Sequence, residues 1–269
     1  MIIDFHSHIY PDKIAAKVIK QAGEKTPPSG CVPLKAFTGG TLEGLKASMI
    51  DAGIDYSIIL PVATSPSQFT AINKYASKIN GKEGIISFGG IHPDTSDYKS
   101  ELEQIKSLGL KGIKLHPDYQ GTFVDDSKII NIVNYAAKIG LIVVFHTGKA
   151  SGYSVIHCTP KRISNLLNSA DCSKVVMAHT GGYFCWDDAE KYIIGQNFLI
   201  DISCSMEHMS EVQFKRIVKK HGVDKILFAS DSPWGGQNET LTNLINMNFT
   251  DDEMEQILYK NGAKLLNLI

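Results

Sequence analysis

Short apolar, β-branched runs return along this chain at intervals of roughly 25–35 residues, and the gaps between them carry helical periodicity. The runs cover residues 2–8, 56–61, 85–89, 112–116, 142–146, 174–179, 198–203 and 226–231. Several are almost wholly apolar, as parallel strands covered on both faces must be. The helices between them have readable starts. Pro11-Asp12 precedes KIAAKVIK, Thr41 precedes LEGLKASMIDAG, and Thr159-Pro160 precedes KRISNLLNSA. Thr250 with Glu253 forms a capping box at the head of the last helix. Eight such units in 269 residues predict an α/β chain folded as one (β/α)8 TIM-barrel domain over residues 1–269, with a doubly wound sheet as the runner-up. The 43% of hydrophobic residues suffices for one large core. The Pro- and Gly-rich segment 23–40 reads as a long loop with the character of a lid rather than a linker.

A TIM barrel carries its chemistry at the C-terminal ends of its strands. Here run one ends in His6-Ser7-His8, run four in Lys114-Leu115-His116, run five in His146, run six in His179 and run eight in Asp231. Side chains alternate along a strand, so His6 and His8 project to one side. An H-x-H pair alone is weak evidence, and a lone strand-end histidine is more often a hydrogen-bonded structural residue. The conjunction is harder to explain as packing, because a buried histidine or aspartate costs several kcal/mol unless it is paired or coordinated. Imidazoles plus a carboxylate suit Zn²⁺, and would also accept Mn²⁺, Fe²⁺ or Co²⁺.

Charge excludes other classes. With 27 basic against 28 acidic residues, the net charge of −1 gives no footprint for nucleic acid or an anionic membrane, and the basic pairs Lys161–Arg162 and Lys219–Lys220 read as solvated surface. No window approaches the roughly 18 apolar residues of a membrane span. The five cysteines, Cys31, Cys158, Cys172, Cys185 and Cys204, are scattered without a C-x-x-C, which suits a reducing cytoplasm better than a disulfide framework or thiolate zinc site. The opening MIIDFHSHIY has no signal-peptide pattern.

The segments IDFHSHIYP, KGIKLHPDYQG, VVFHTG, VMAHTGG, ILFASDSPWG and NGAKLLNL resemble the amidohydrolase superfamily. The likeness looks closest to its amidohydrolase-2 branch, of TIM-barrel metal-dependent hydrolases and aminocarboxymuconate semialdehyde decarboxylase-like enzymes, and it runs from residue 2 to about 268. Carried over by position, it implies that His6, His8, His146 and Asp231 are metal ligands. His179 would orient substrate or water around one metal, or ligate a second. Asp231 would also be the general base. Lys114 stands where some members have a bridging carboxylated lysine. The favoured reading is a free ammonium pairing with Asp231 or a substrate carboxylate, and the alternative is a bridge between two metals. One ion per chain, most simply Zn²⁺, is the expectation, with two as the alternative.

The resemblance implies a hydrolase of a small amide, lactone or ester, with non-oxidative decarboxylation of a small unsaturated or aromatic acid as the runner-up. A metal-binding scaffold without activity is a third reading, opposed by the complete ligand set. A decarboxylase needs a cation for its carboxylate, and the chain has only Arg162, expected near the mouth, Arg216 and its lysines. His116, Tyr119, Arg162 and Trp234 are the substrate-binding candidates, although aromatics in such loops are as often packing pieces. His92 is a weaker candidate, and His157, His208 and His221 read as structural or surface groups. The partner expected is a small molecule, and a homodimer through helices fits the fold without any stripe that marks the interface.

Overall fold

The structure is a computed structural model describing residues 1–269. Its parallel strands are β1 (Ile3–Ser7), β2 (Tyr56–Ile59), β3 (Ile85–Ser87), β4 (Gly89–Gly90), β5 (Gly112–Leu115), β6 (Ile142–Phe145), β7 (Val175–Met177), β8 (Leu199–Asp201) and β9 (Ile226–Leu227). The helices are α1 (Asp12–Gly23), α2 (Leu42–Ala52), α3 (Phe69–Ile79), α4 (Tyr98–Ser107), α5 (Pro117–Gln120), α6 (Ser127–Ile139), α7 (Pro160–Leu167), α8 (Trp186–Tyr192), α9 (Glu211–His221), α10 (Gln237–Asn246), α11 (Asp251–Glu255) and α12 (Asn261–Leu266). None is long and apolar enough to cross a membrane. The expected caps are present: Thr41 accepts from Gly44 N, Thr159 from Arg162 N, and Thr250 and Glu253 close their box. The predicted final helix is real but broken, with a π-helical turn at Gln256–Lys260 between α11 and α12.

The strands form the order β1-β2-β3 and β4-β5-β6-β7-β8-β9, an α/β barrel whose ladder is not continuous. β3 and β4 are two halves of the third predicted run, parted at Phe88: its N–H makes the last bond to β2, at Ile59 O, and the two glycines after it pair with β5. At the other seam, β9 and β1 share no ladder. Individual bonds join the segments there, Phe5 N to Phe228 O at 2.9 Å and Asp231 N to His6 O at 2.8 Å.

Two apolar layers hold the barrel. Inside lie Phe5, Leu60, Phe88, Val144, Val176 and Leu227, with Ala263 and Leu266 of α12 packed among them. Outside, residues of opposite parity such as Ile59, Ile113, Val143, Met177 and Ile200 meet the helices. Each such buried side chain contributes about 1.5–3 kcal/mol. Phe88 fills so much of the interior that a Cβ on Gly112 would sit 2.5 Å from its ring, so β5 must begin with glycine. Two residues beyond Val144, the inward parity delivers His146; two beyond Ala229, it delivers Asp231.

β1 breaks the rule of parity. Asp4 pairs with Ser57 but Ser7 pairs with Ile59, so β1 carries one extra residue, a bulge. The bulge lets Phe5 fill the interior while His6, its neighbour, also turns inward at the mouth. Asp4 faces the other way and pins the segment. Its fully buried carboxylate accepts from Ser7 Oγ, Ser230 N, Ser230 Oγ and Gln237 Nε2 at 3.0, 2.9, 2.6 and 2.7 Å.

Candidate metal centre

His6, His8 and Asp231 meet at the mouth. Asp231 Oδ1 lies 3.4 Å from His6 Nε2 and 3.1 Å from His8 Nε2, and the two imidazole nitrogens are 3.1 Å apart. The protons of both rings are spoken for elsewhere. His8 Nδ1 donates to Leu60 O at 2.7 Å, and His6 Nδ1 donates to Asp201 Oδ2 at 2.9 Å. Both Nε2 atoms therefore present lone pairs to each other and to a carboxylate oxygen. Burial, then the charge of Lys114, pushes His6 down to about 4, so its ring is neutral at ordinary pH. Asp231 Oδ1 is buried and has no hydrogen-bond donor in the chain. Converging acceptors without a proton between them are a site for a cation, and neutral imidazoles with a carboxylate are its ordinary donors.

A second set adjoins the first. Asp201, wholly buried at the end of β8, accepts from His6, from His179 N at 3.1 Å and from the Ser203 hydroxyl. Burial pushes its carboxyl up, but His6, His179 and Lys114 overcome this and hold it well below the usual carboxylate range. His179 Nδ1 lies 3.0 Å from Ser203 Oγ and 3.2 Å from Ser203 O, which fixes its proton on that side. Its Nε2 faces His146 Nδ1 at 3.0 Å, while His146 Nε2 donates to Lys149 O at 3.1 Å. Here too, lone pairs face each other. The donor nearest the group is Lys114 Nζ, 3.0 Å from His6 Nε2. Burial lowers Lys114 to about 8, so an appreciable amine fraction exists just above neutrality.

Backbone strain accompanies the chemistry. Neither His179 nor Asp231 lies in a strand; both stand in the left-handed region, with φ of 57° and 66°. Such conformations cost of the order of 1–3 kcal/mol and collect where a side chain must be aimed.

His116, Asp118 and His146 also lie close enough together to suggest a cation site. The rings of His116 and His146, however, are parallel, 4.0 Å apart and 5° from coplanar, so their in-plane lone pairs run side by side and do not converge. Asp118 Oδ1 accepts from His157, through N at 2.8 Å and Nδ1 at 3.0 Å, while its Oδ2 is buried without a donor. This cluster is a wall rather than a second centre.

The centre opens into a cavity of ≈ 280 Å³. His116, Tyr119 and Trp234 line it as expected, and Lys114 lies at its floor beside His6. Arg162 does not line it. It is the third residue of α7, and its guanidinium turns sideways to Asp125, at 2.7 Å, over the ring of Phe123 at 3.8 Å. The carboxylate partner and the aromatic face outbid the mouth for that charge. His92 is also turned away, accepting from Asp94 N. Lys25 and Leu34 bring the long loop over the cavity, Lys149 and Tyr183 reach it from the loops 149–157 and 183–186, which the sequence offers as specificity loops, and Tyr10 and Cys204 are wall residues that sequence reasoning did not single out.

The chain belongs to the Amidohydrolase family, whose model matches residues 3–268. No curated protein matches it. Among solved structures it is similar to an uncharacterized TIM-barrel protein from Bordetella bronchiseptica, with 18% identity, a TM-score of 0.72 and coverage of 99% of this chain and 98% of that one. It is similar to a 5-carboxyvanillate decarboxylase from Novosphingobium aromaticivorans with bound manganese, at 13%, 0.69, 99% and 97% in the same order. It is also similar to a probable 2-pyrone-4,6-dicarboxylic acid hydrolase from Acinetobacter baumannii, at 15%, 0.63, 99% and 99%. The neighbours thus include both a decarboxylase and a probable hydrolase, and at these identities the likeness is one of fold.

Proposed function

We propose that this chain is a metal-dependent hydrolase of a small amide, lactone or ester. The observation that carries the reading is Asp231 Oδ1: a buried carboxylate oxygen with no donor, facing two imidazole lone pairs. His6, His8 and Asp231 would hold one divalent ion, most simply Zn²⁺; His146, which stands in the adjoining set against His179 and Lys149 O, would have to turn from them to serve as the fourth ligand. When bound, such an ion polarises a carbonyl and makes water a nucleophile near neutral pH. Asp231 accepts the proton of the attacking water and returns it to the leaving group. His179, its own proton held by Ser203, accepts rather than donates at Nε2. The donors towards a developing oxyanion are therefore the hydroxyls of Tyr10 and Tyr183, which line the cavity, and Lys114, whose Nζ would turn to it from His6 Nε2.

Decarboxylation of a small unsaturated or aromatic acid is the second reading, favoured by the three lysines around the cavity, Lys25, Lys114 and Lys149. The deciding experiment counts metal per chain by elemental analysis and then assays esters, lactones and amides beside carbon dioxide release. About one ion and hydrolysis of at least one substrate is the expected outcome. In Asp231→Asn, kcat should fall about 10²–10⁴-fold with metal still bound; normal turnover in that variant would remove Asp231 from the mechanism. Carbon dioxide release without hydrolysis would replace the first reading by the second.

A further inference from the structure

Lys25 is a half-buried cation in the cavity wall that no carboxylate neutralises. The other lysines of the wall have partners: Lys114 reaches His6 Nε2 at 3.0 Å, and Lys149 donates to Ser29 O at 2.7 Å. Lys25 Nζ instead hangs over the ring of Tyr119, 4.3 Å from its centroid, with Tyr153 at 5.6 Å. Its stem is seated. The residue follows α1, its N–H bonds Ala22 O, and the next residue's carbonyl accepts from Gly152 N at 2.9 Å. A Cβ on Gly152 would lie 3.3 Å from Lys25 Cδ and 3.5 Å from Cγ, so the glycine leaves the space the methylenes occupy.

The position of that charge is defined by a column of rings. Tyr119 stacks on His116 at 3.7 Å and 9°, and His116 stacks on His146 at 4.0 Å and 5°. Lys25 caps the far end of this column and the metal centre adjoins the near end. A desolvated ammonium over an aromatic face keeps only part of what water gave it, and burial lowers its affinity for a proton accordingly. An anionic group delivered by the ligand would restore the balance.

We propose that Lys25 is a specificity-determining residue that recognises a carboxylate at the end of the substrate remote from the reacting centre. The preferred ligand is then a flat, two-ended molecule. One end is held at His6, His8 and Asp231, the body lies along the Tyr119–His116 wall, and the distal carboxylate pairs with Lys25. The proposal deepens the metal-dependent reading and rests on it for the proximal anchor alone.

The test is binding of terephthalate against 4-acetylbenzoate, a flat analogue of similar size whose neutral end cannot be hydrolysed, to the full-length, metal-replete protein by calorimetry. Wild type should bind the diacid about tenfold more tightly, the worth of one additional charge-assisted contact. Lys25→Met keeps the stem on Gly152 and should abolish that preference, and Lys25→Arg should retain it. Equal binding of the two compounds by wild type, binding of neither, or a preference that survives in Lys25→Met would overturn the assignment. Because binding is the readout, failure of the hydrolytic reading would show separately, in the ester and lactone assays, with this preference intact.

Discussion

Asp201 does for His6 what no ligand can do for itself: it fixes which nitrogen carries the proton. Its Oδ2 takes the Nδ1 proton of His6, and its Oδ1 holds His179 N and Ser203. Supporting carboxylates of this kind typically govern 10–100-fold in metal affinity. Asp201→Asn should therefore weaken zinc binding by about that factor in a competition titration while the circular dichroism spectrum stays unchanged; unaltered affinity would reduce Asp201 to a packing role. The ligand-type residues were legible because each ends an apolar run. Asp201 was not, because it stands two positions before the end of its run, where a strand reading takes it as one more alternating residue. Arg162 failed in the opposite way: position at a helix start placed it near the mouth, but Asp125 and Phe123 offered it a closer partner and a ring.

Elements were legible wherever hydrophobic period and capping agreed, as in α2, α7 and α11. They were less so where tertiary packing decided. The third run divides at Phe88, where pairing passes from β2 to β5, and His116-Pro117 opens the four-residue α5 where the sequence suggested only a loop. α9 ends on an element-scale device. His221 is 2% exposed, accepts from Gly195 N at 3.1 Å and donates to Phe198 O at 2.9 Å, tying the helix to the segment that leads into β8. Burial lowers it from 6.5 to about 4. The fold requires the neutral ring, so the unfolded chain takes up the proton first. The contribution is complete above about pH 6.5 and is lost as pH falls towards 4, at up to about 3 kcal/mol. Urea titrations across that range should show a shallower acid loss in His221→Gln than in the parent; identical slopes would exclude His221 as the source.

At the scale of the whole molecule, the barrel mouth is assembled from β1, β6, the turn after β7 and the segment after β9, whose lone pairs face one another. Ion binding should convert that repulsion into cohesion between segments at the two ends of the chain. Saturation at a thousand times Kd adds about 4 kcal/mol. The melting temperature should accordingly fall by several degrees on chelation and recover with Zn²⁺ or Mn²⁺; a melting curve indifferent to chelator would argue that these side chains hold no ion. The sheet order followed from the regular spacing of the runs. The seam between β9 and β1 did not, because it is closed by single bonds rather than by a ladder.

The extra residue of β1 gives length a meaning in that segment that it lacks elsewhere. Losing Phe5 would restore an even pleat with the first histidine as the one inward residue between Asp4 and Ser7, in the space the phenyl ring now fills, so a change that leaves every ligand in the sequence would disturb the centre. The loop that carries Lys25 is under no such arithmetic: insertions there would alter which molecules are admitted and leave the catalytic end untouched. Descendants of this barrel are therefore free to change their diet through the loop, and bound to count residues in the first strand.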